Sequence, residues 1–199
     1  MKHRAPTSSP PRRPSHQLRI IGGTHRRSLL PVPDLAGLRP TPDRVRETLF
    51  NWLGQDLAGW RCWDAYAGSG ALGLEAASRG AQEVVLVERV ASQVQSLRQT
   101  VARLKMDRVK VLAGDALAVL EQARGEGWDV VFLDPPFAQP DGVPPGLRAA
   151  HAATAANGLC YLESDRRWSD ELLADSGWQV RRSGKAASVH YLLLDKTES

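Results

Sequence analysis

From Arg61 onward the chain alternates. Short apolar runs near 61–66, 83–88, 108–113, 128–133 and 158–163 are separated by stretches of helical spacing near 71–79, 90–104, 116–124, 144–156 and 168–176. Strands joined through an intervening helix lie parallel, and a parallel sheet carries helices on both faces. The clearest run is Trp128 to Leu133 (WDVVFL), apolar apart from Asp129, as a central strand buried on both sides should be. Two further strand candidates, 177–183 and 187–195, close the chain as a hairpin and add antiparallel strands. The expectation is one α/β domain with a mostly parallel seven-stranded sheet.

The first strand leads into Asp64 to Gly73 (DAYAGSGALG). Small residues let such a turn approach a ligand closely, and the helix that follows offers free N–H groups. Gly68, Gly70 and Gly73 satisfy GxGxxG, and Glu88 ends the next strand twenty residues after Gly68. A carboxylate there accepts bonds from ribose hydroxyls. A nicotinamide dinucleotide and S-adenosylmethionine fit this spacing equally. Asp64 tilts the choice toward S-adenosylmethionine, because it can face an ammonium group. Asp115, after the third strand, is placed to accept an adenine amino group, to cap the helix that starts at Ala116, or both.

The strand Trp128–Leu133 runs directly into Asp134, Pro135, Pro136 and Phe137 (DPPF). Ligands of open α/β sheets bind beyond the carboxyl ends of the strands, where this segment falls. An acid, two prolines and an aromatic ring make a rigid polar shelf for a planar group with an exocyclic amine. N–H bonds to the Asp134 carboxylate and the Pro135 carbonyl would favour a nucleophilic geometry at nitrogen, and Phe137 would stack on the ring. Alignment and electrostatics would carry most of the rate. An aspartate at the head of this segment accepts an N–H bond from either purine, so it does not separate guanine from adenine.

The N-terminal quarter is different in kind. Residues 1–50 hold ten Lys/Arg against three Asp/Glu, and the remainder holds sixteen against nineteen. Basicity is therefore local to this segment, and a concentrated positive segment can bind phosphate backbone. Residues 1–17, rich in Pro, Ser and Arg, read as a disordered basic tail. Residues 18–55 read as an arm or hairpin, the rigid turn LRPTP at 38–42 and a helix over 43–53, together part of the substrate and cofactor entrance. Residues 56–196 form the core. Arg26 and Arg27 on the arm, with Arg39, Thr41, Arg44 and Arg46 around the helix start, are candidates for substrate contacts. Arg44 and Arg46 are two apart and do not share a helical face. Lys185, after Gly184 at the terminal hairpin, is a further candidate.

Two cysteines, Cys62 and Cys160, sit in strand-like segments and read as buried thiols of a reducing compartment, the cytoplasm. No His/Cys grouping has metal-ligand spacing, so no metal is expected. No apolar stretch is long enough to span a membrane, and no secretory signal is evident. No dimer seam is evident, and a monomer is expected.

The chain closely resembles the bacterial 16S ribosomal RNA (guanine-966 N2)-methyltransferase family, through RIIGG at Arg19 to Gly23, LRPTPDRVRETLFNWL at Leu38 to Leu53, DAYAGSGALGLEAASRGA at Asp64 to Ala81, VLVERV at Val85 to Val90 and VVFLDPPF at Val130 to Phe137. The resemblance covers Leu18 to Leu194. It implies a class I methyltransferase fold, Rossmann-like, with S-adenosyl-L-methionine as cofactor. It implies transfer to N2 of a guanine in 16S rRNA, within an assembled or partly assembled small ribosomal subunit. By motif position, Asp64, Ala67, Gly68, Ser69, Gly70, Glu88, Asp115 and Ala116 hold the cofactor, and Asp134 to Phe137 form the acceptor pocket. The arm (GGTHRR) and Gly184-Lys185-Ala186-Ala187 depart from the usual family pattern; the latter lacks a glycine after the lysine. The alternative is another exocyclic-amine methyltransferase, acting on adenine in DNA or on other rRNA. The segment from Arg39 to Leu53 argues against it.

Overall fold

The computed structural model describes residues 18–32, 42–136 and 142–197. The basic tail, the turn with Arg39 and Thr41, Phe137, and residues 138–141 of the following loop lie outside the described residues. In chain order the elements are β1 (Leu18–Arg19), β2 (Leu29–Leu30), α1 (Asp43–Leu53), β3 (Arg61–Asp64), α2 (Ala71–Ser78), β4 (Glu83–Glu88), α3 (Ala91–Leu104), β5 (Val109–Ala113), α4 (Ala116–Gln122), β6 (Trp128–Leu133), α5 (Val143–Ala153), β7 (Thr154–Ser164), α6 (Asp170–Ala174), β8 (Trp178–Ala186) and β9 (Val189–Lys196).

Seven strands form one sheet in the order β5-β4-β3-β6-β7-β9-β8. The five from β3 to β7 are mutually parallel, and β9 runs antiparallel between β7 and β8. The sheet is the one expected, terminal hairpin included. Strand alternation divides its side chains between two cores. Cys62, Val130, Phe132, Leu159 and Tyr161 face α1, α2, α3 and the arm, whereas Trp63, Val131, Leu133, Cys160 and Leu162 face α4, α5 and α6. Each fully buried aliphatic or aromatic side chain contributes about 1.5–3 kcal/mol relative to exposure. Both cysteines are unpaired and buried, and burial pushes each thiol well above its ordinary range.

Two boundaries differ from expectation. The stretch 154–156 continues a strand and not a helix: Thr154 pairs with Trp128, and the register shifts before Val130 pairs with Leu159. Pairing with β6 overrides the helical propensity of an alanine-rich stretch. The last helix is short because Ser169 caps it, its side chain accepting from Leu172 N. Trp168, expected at its start, is instead buried ahead of it and donates to Ser164 Oγ at 3.1 Å.

The arm is a small antiparallel hairpin of β1 and β2, docked on α2. Glu75, in the middle of α2 and fully buried, accepts the backbone N–H of Ile21 at 2.7 Å and of Gly22 at 2.8 Å. Gly23 has φ +75°, and a Cβ there would lie 1.8 Å from the Ser78 carbonyl oxygen, so only glycine allows this approach. Leu18, Ile20 and Leu30 complete the attachment by joining the core.

Candidate active site

The parallel strands deliver an acidic residue apiece to their carboxyl edge. Asp64 ends β3 and Glu88 ends β4; Asp115 follows β5, Asp134 follows β6, and Glu163 is the penultimate residue of β7. Asp64 is 2 % exposed, and its Oδ2 accepts the Gly73 N–H at 2.9 Å. Burial pushes its carboxyl up to about 7; the charges of Glu88 and Glu163 add to this, while backbone bonds from Gly73 and Tyr66 oppose it. A positive group brought beside a carboxyl in this condition would favour its ionised form. Gly73 is needed for packing, because a Cβ would lie 2.2 Å from Leu86 Cδ2 and 3.2 Å from the Asp64 side chain.

Glu88 shapes the glycine turn. Its Oε2 accepts from Gly68 N at 3.0 Å and its Oε1 from Val90 N at 2.8 Å. The turn closes through Ala67 N to Val87 O at 2.9 Å and Gly70 N to Ala67 O at 2.6 Å, leaving Ser69 half-buried between them. Asp115 is the N-cap of α4: its Oδ1 accepts from Leu117 N and Ala118 N, both at 3.1 Å, ahead of the buried Ala116. The cap and an adenine contact are compatible roles for an exposed two-oxygen group.

On the acceptor side, Asp134 is half-buried, Pro135 buried and Pro136 exposed. Beside this shelf stands a pair that reading the sequence missed. The Tyr161 hydroxyl donates to Glu163 Oε1 at 2.8 Å, and Glu163 is 4 % exposed. Leu133 pairs with Leu162, so Glu163 stands opposite Asp134 at the next step. Burial drives the Tyr161 phenol well above its usual range, followed by Glu163 and then Asp134. A signal was present: YLES ends an apolar run in an acid, as VLVE does at Glu88.

The candidate substrate residues divide. Lys185 is exposed and pairs with His190, which stands opposite Ser164, so it lies at the same edge of the sheet as Asp134. Arg44 is exposed on the first turn of α1. Arg46, expected near the RNA entrance, is fully buried. Its guanidinium donates to Asp43 Oδ1 at 2.7 Å and to the Arg19 carbonyl at 3.0 Å, and stands 3.6 Å from Glu75. It ties α1 to the arm and α2, and does not face RNA. Arg26 and Arg27 lie away from the acids of the strand ends. Neighbouring Thr24 N donates to Ser78 O at 2.8 Å, and Ser78 ends α2. Because α2 starts at the glycine turn, its far end lies at the opposite edge of the sheet, and both arginines lie there with it.

Comparison with known proteins gives the family. The model of the family described as Conserved hypothetical protein 95 matches residues 18–195. The Ribosomal RNA small subunit methyltransferase D of Escherichia coli K12 is 40% identical over 192 residues, covering 93% of this chain and 95% of that protein. The protein of the same name from Haemophilus influenzae is 36% identical over 184 residues, covering 89% and 93%. Among solved structures, an Escherichia coli chain named for methyltransferase activity superposes with a TM-score of 0.80 at 38% identity, covering 92% of this chain and 99% of that one. A Haemophilus influenzae methylase does so with 0.74 at 31% identity and the same coverage.

Proposed function

We infer the function from the premise that this chain belongs to the Conserved hypothetical protein 95 family and to the ribosomal RNA small subunit methyltransferases D. It is a class I S-adenosylmethionine-dependent methyltransferase that methylates the exocyclic N2 of a guanine, the 966-type position of 16S rRNA, in small-subunit maturation. The observation that carries the reading is the buried Asp64 carboxyl beneath a glycine turn, one strand from the Asp134–Pro135 shelf.

The donor set fits S-adenosylmethionine. Asp64 and the turn from Ala67 to Gly70 would hold its amino-acid end, Glu88 its ribose hydroxyls, and Asp115 with Ala116 its adenine. When bound, the cofactor supplies an electrophilic methyl carbon on a positively charged sulfur. The protein's own task is to hold the amine in line. The Asp134 carboxylate and the Pro135 carbonyl accept N–H bonds from the guanine amine, and Pro136 stiffens the shelf. These bonds hold the nitrogen so that its electron pair points out of the base plane. Once nitrogen is methylated it must lose a proton, and the Asp134 carboxylate is placed to receive it. The base has to leave its stack to reach this edge. Arg44 and Lys185 face the RNA near the pocket.

We place the enzyme in the cytoplasm, acting as a monomer on an assembled or partly assembled subunit. One sheet carries both the cofactor turn and the acceptor shelf, so a single copy contains the whole site. The test is transfer of labelled methyl to unmodified small subunits, with the product located by mass spectrometry. N2-methylguanosine at one position, lost in Asp134→Ala, supports the reading; methylated adenine overturns it.

A further inference from the structure

One corner of the sheet edge opposite the pocket is cationic, apart from the stretch where Glu83, Glu126 and Asp129 meet Arg61 and Lys110. His25 Nε2 donates to the Leu104 carbonyl at 2.9 Å, which pins the arm tip to the last turn of α3. This contact brings the arm tip with Arg26 and Arg27, both exposed, to the end of α3, which Lys105 and Arg108, also exposed, follow in the chain. Arg103 joins them, its Nη2 donating to Leu29 O at 2.7 Å. Asp107 is an acid in the same corner. Arg27 and Lys105 are held in left-handed backbone, φ 71° and 53°, at the turns that bring the two segments together. The five acids of the pocket edge offer a polyanion no anchor, and this corner adds cations to Arg44 and Lys185.

We propose that Arg26, Arg27, Lys105 and Arg108 form a second RNA-phosphate-binding surface, remote from the pocket, which docks folded rRNA while the target guanine enters at the other edge. The proposal rests on the rRNA methyltransferase reading. α3 spans the separation: it starts after Glu88, and its 14 residues cover about 20 Å. A short oligonucleotide in the pocket leaves this surface empty, whereas a folded RNA fills both. Such a two-point grip selects structured RNA, because flexible RNA must be ordered to satisfy both contacts at once.

The test compares the full chain with the variant Arg26→Gln/Arg27→Asn/Lys105→Asn/Arg108→Gln; asparagine tolerates the left-handed positions. Methyl transfer to unmodified small subunits is measured across about 50–200 mM salt, and binding of the same subunits is measured in parallel. The expected result is a KM raised about 10- to 100-fold with kcat within about twofold. The slope of log affinity against log salt becomes shallower by about 3, from four lost phosphate contacts. S-adenosylmethionine affinity, unchanged, reports an intact fold. Unaltered KM and salt slope would overturn the proposal. So would a raised KM with an unaltered slope, which points to contact with a ribosomal protein. If the unaltered chain transfers no methyl to subunits, the activity reading fails, while the binding slopes still decide whether this surface holds RNA phosphates.

Discussion

The Tyr161 hydroxyl donates to Glu163 Oε1 at 2.8 Å inside the core, one strand from Asp134. A buried carboxylate that loses one of its donors is less well compensated for its desolvation. Tyr161→Phe should lower stability by about 1–3 kcal/mol and should also lower kcat, since the floor under the acceptor shelf loosens. Urea unfolding and methyl-transfer kinetics on the same preparation check this. An unchanged midpoint would show that Glu163 finds another donor without loss.

Asp64 predicts a pH dependence of cofactor binding. With its carboxyl pushed up to about 7, it is protonated in the cofactor-free protein below neutrality and cannot offer a full charge to a cation. Affinity for S-adenosylmethionine should rise from pH 5.5 to about 7 and then level, with proton release on binding below about 7. The same group acts on stability in the opposite sense. Its folded value exceeds its unfolded value, so its contribution is fully present below about 4 and is lost as pH rises through about 7. Calorimetry in buffers of different ionisation enthalpy measures the proton count. Asp64→Asn should flatten both profiles.

Glu163→Gln tests whether the two carboxyls are coupled. The charge of Glu163 helps to raise Asp64. Removing it should move the pH midpoint of cofactor binding downward with the fold intact. A midpoint that stays in place would show the two sites to be electrically independent.

The buried ion cluster under the arm predicts a large stability effect. Arg46→Met takes one cation from Glu75, which keeps Arg79 at 2.8 Å and the two arm amides. A loss of about 3 kcal/mol is expected, the low end for breaking a buried pair. Glu75→Gln should release the arm, and limited proteolysis should then cut within 18–30 while the sheet resists.

Ala187 occupies the turn between β8 and β9 with φ 52°. A left-handed alanine costs about 1 kcal/mol that glycine avoids. Ala187→Gly should therefore raise the melting temperature modestly, and an unchanged value would place the strain elsewhere.

The amino-acid sequence alone was enough for the sheet and for the tight glycine turn that follows its first parallel strand. Alternation at period two and spacing near 3.6 are local properties, and acids after apolar runs mark strand ends without any knowledge of neighbours. Even so, YLES was not read as VLVE was, because Glu163 acquires its meaning only when β7 pairs with β6 and Tyr161 turns toward it. Arg44 and Arg46 look alike in sequence. The docking of α1 on α2 buries one against Glu75 and leaves the other in solvent. Arg26 and Arg27 read as candidate substrate contacts on the arm, and the sequence does not say that the length of α2 carries the arm tip to the edge opposite the pocket. Which strand ends carry acid is written in the order of residues. Which charges meet, which are buried and which edge they face depends on contacts between segments far apart in the chain, and only packing decides those.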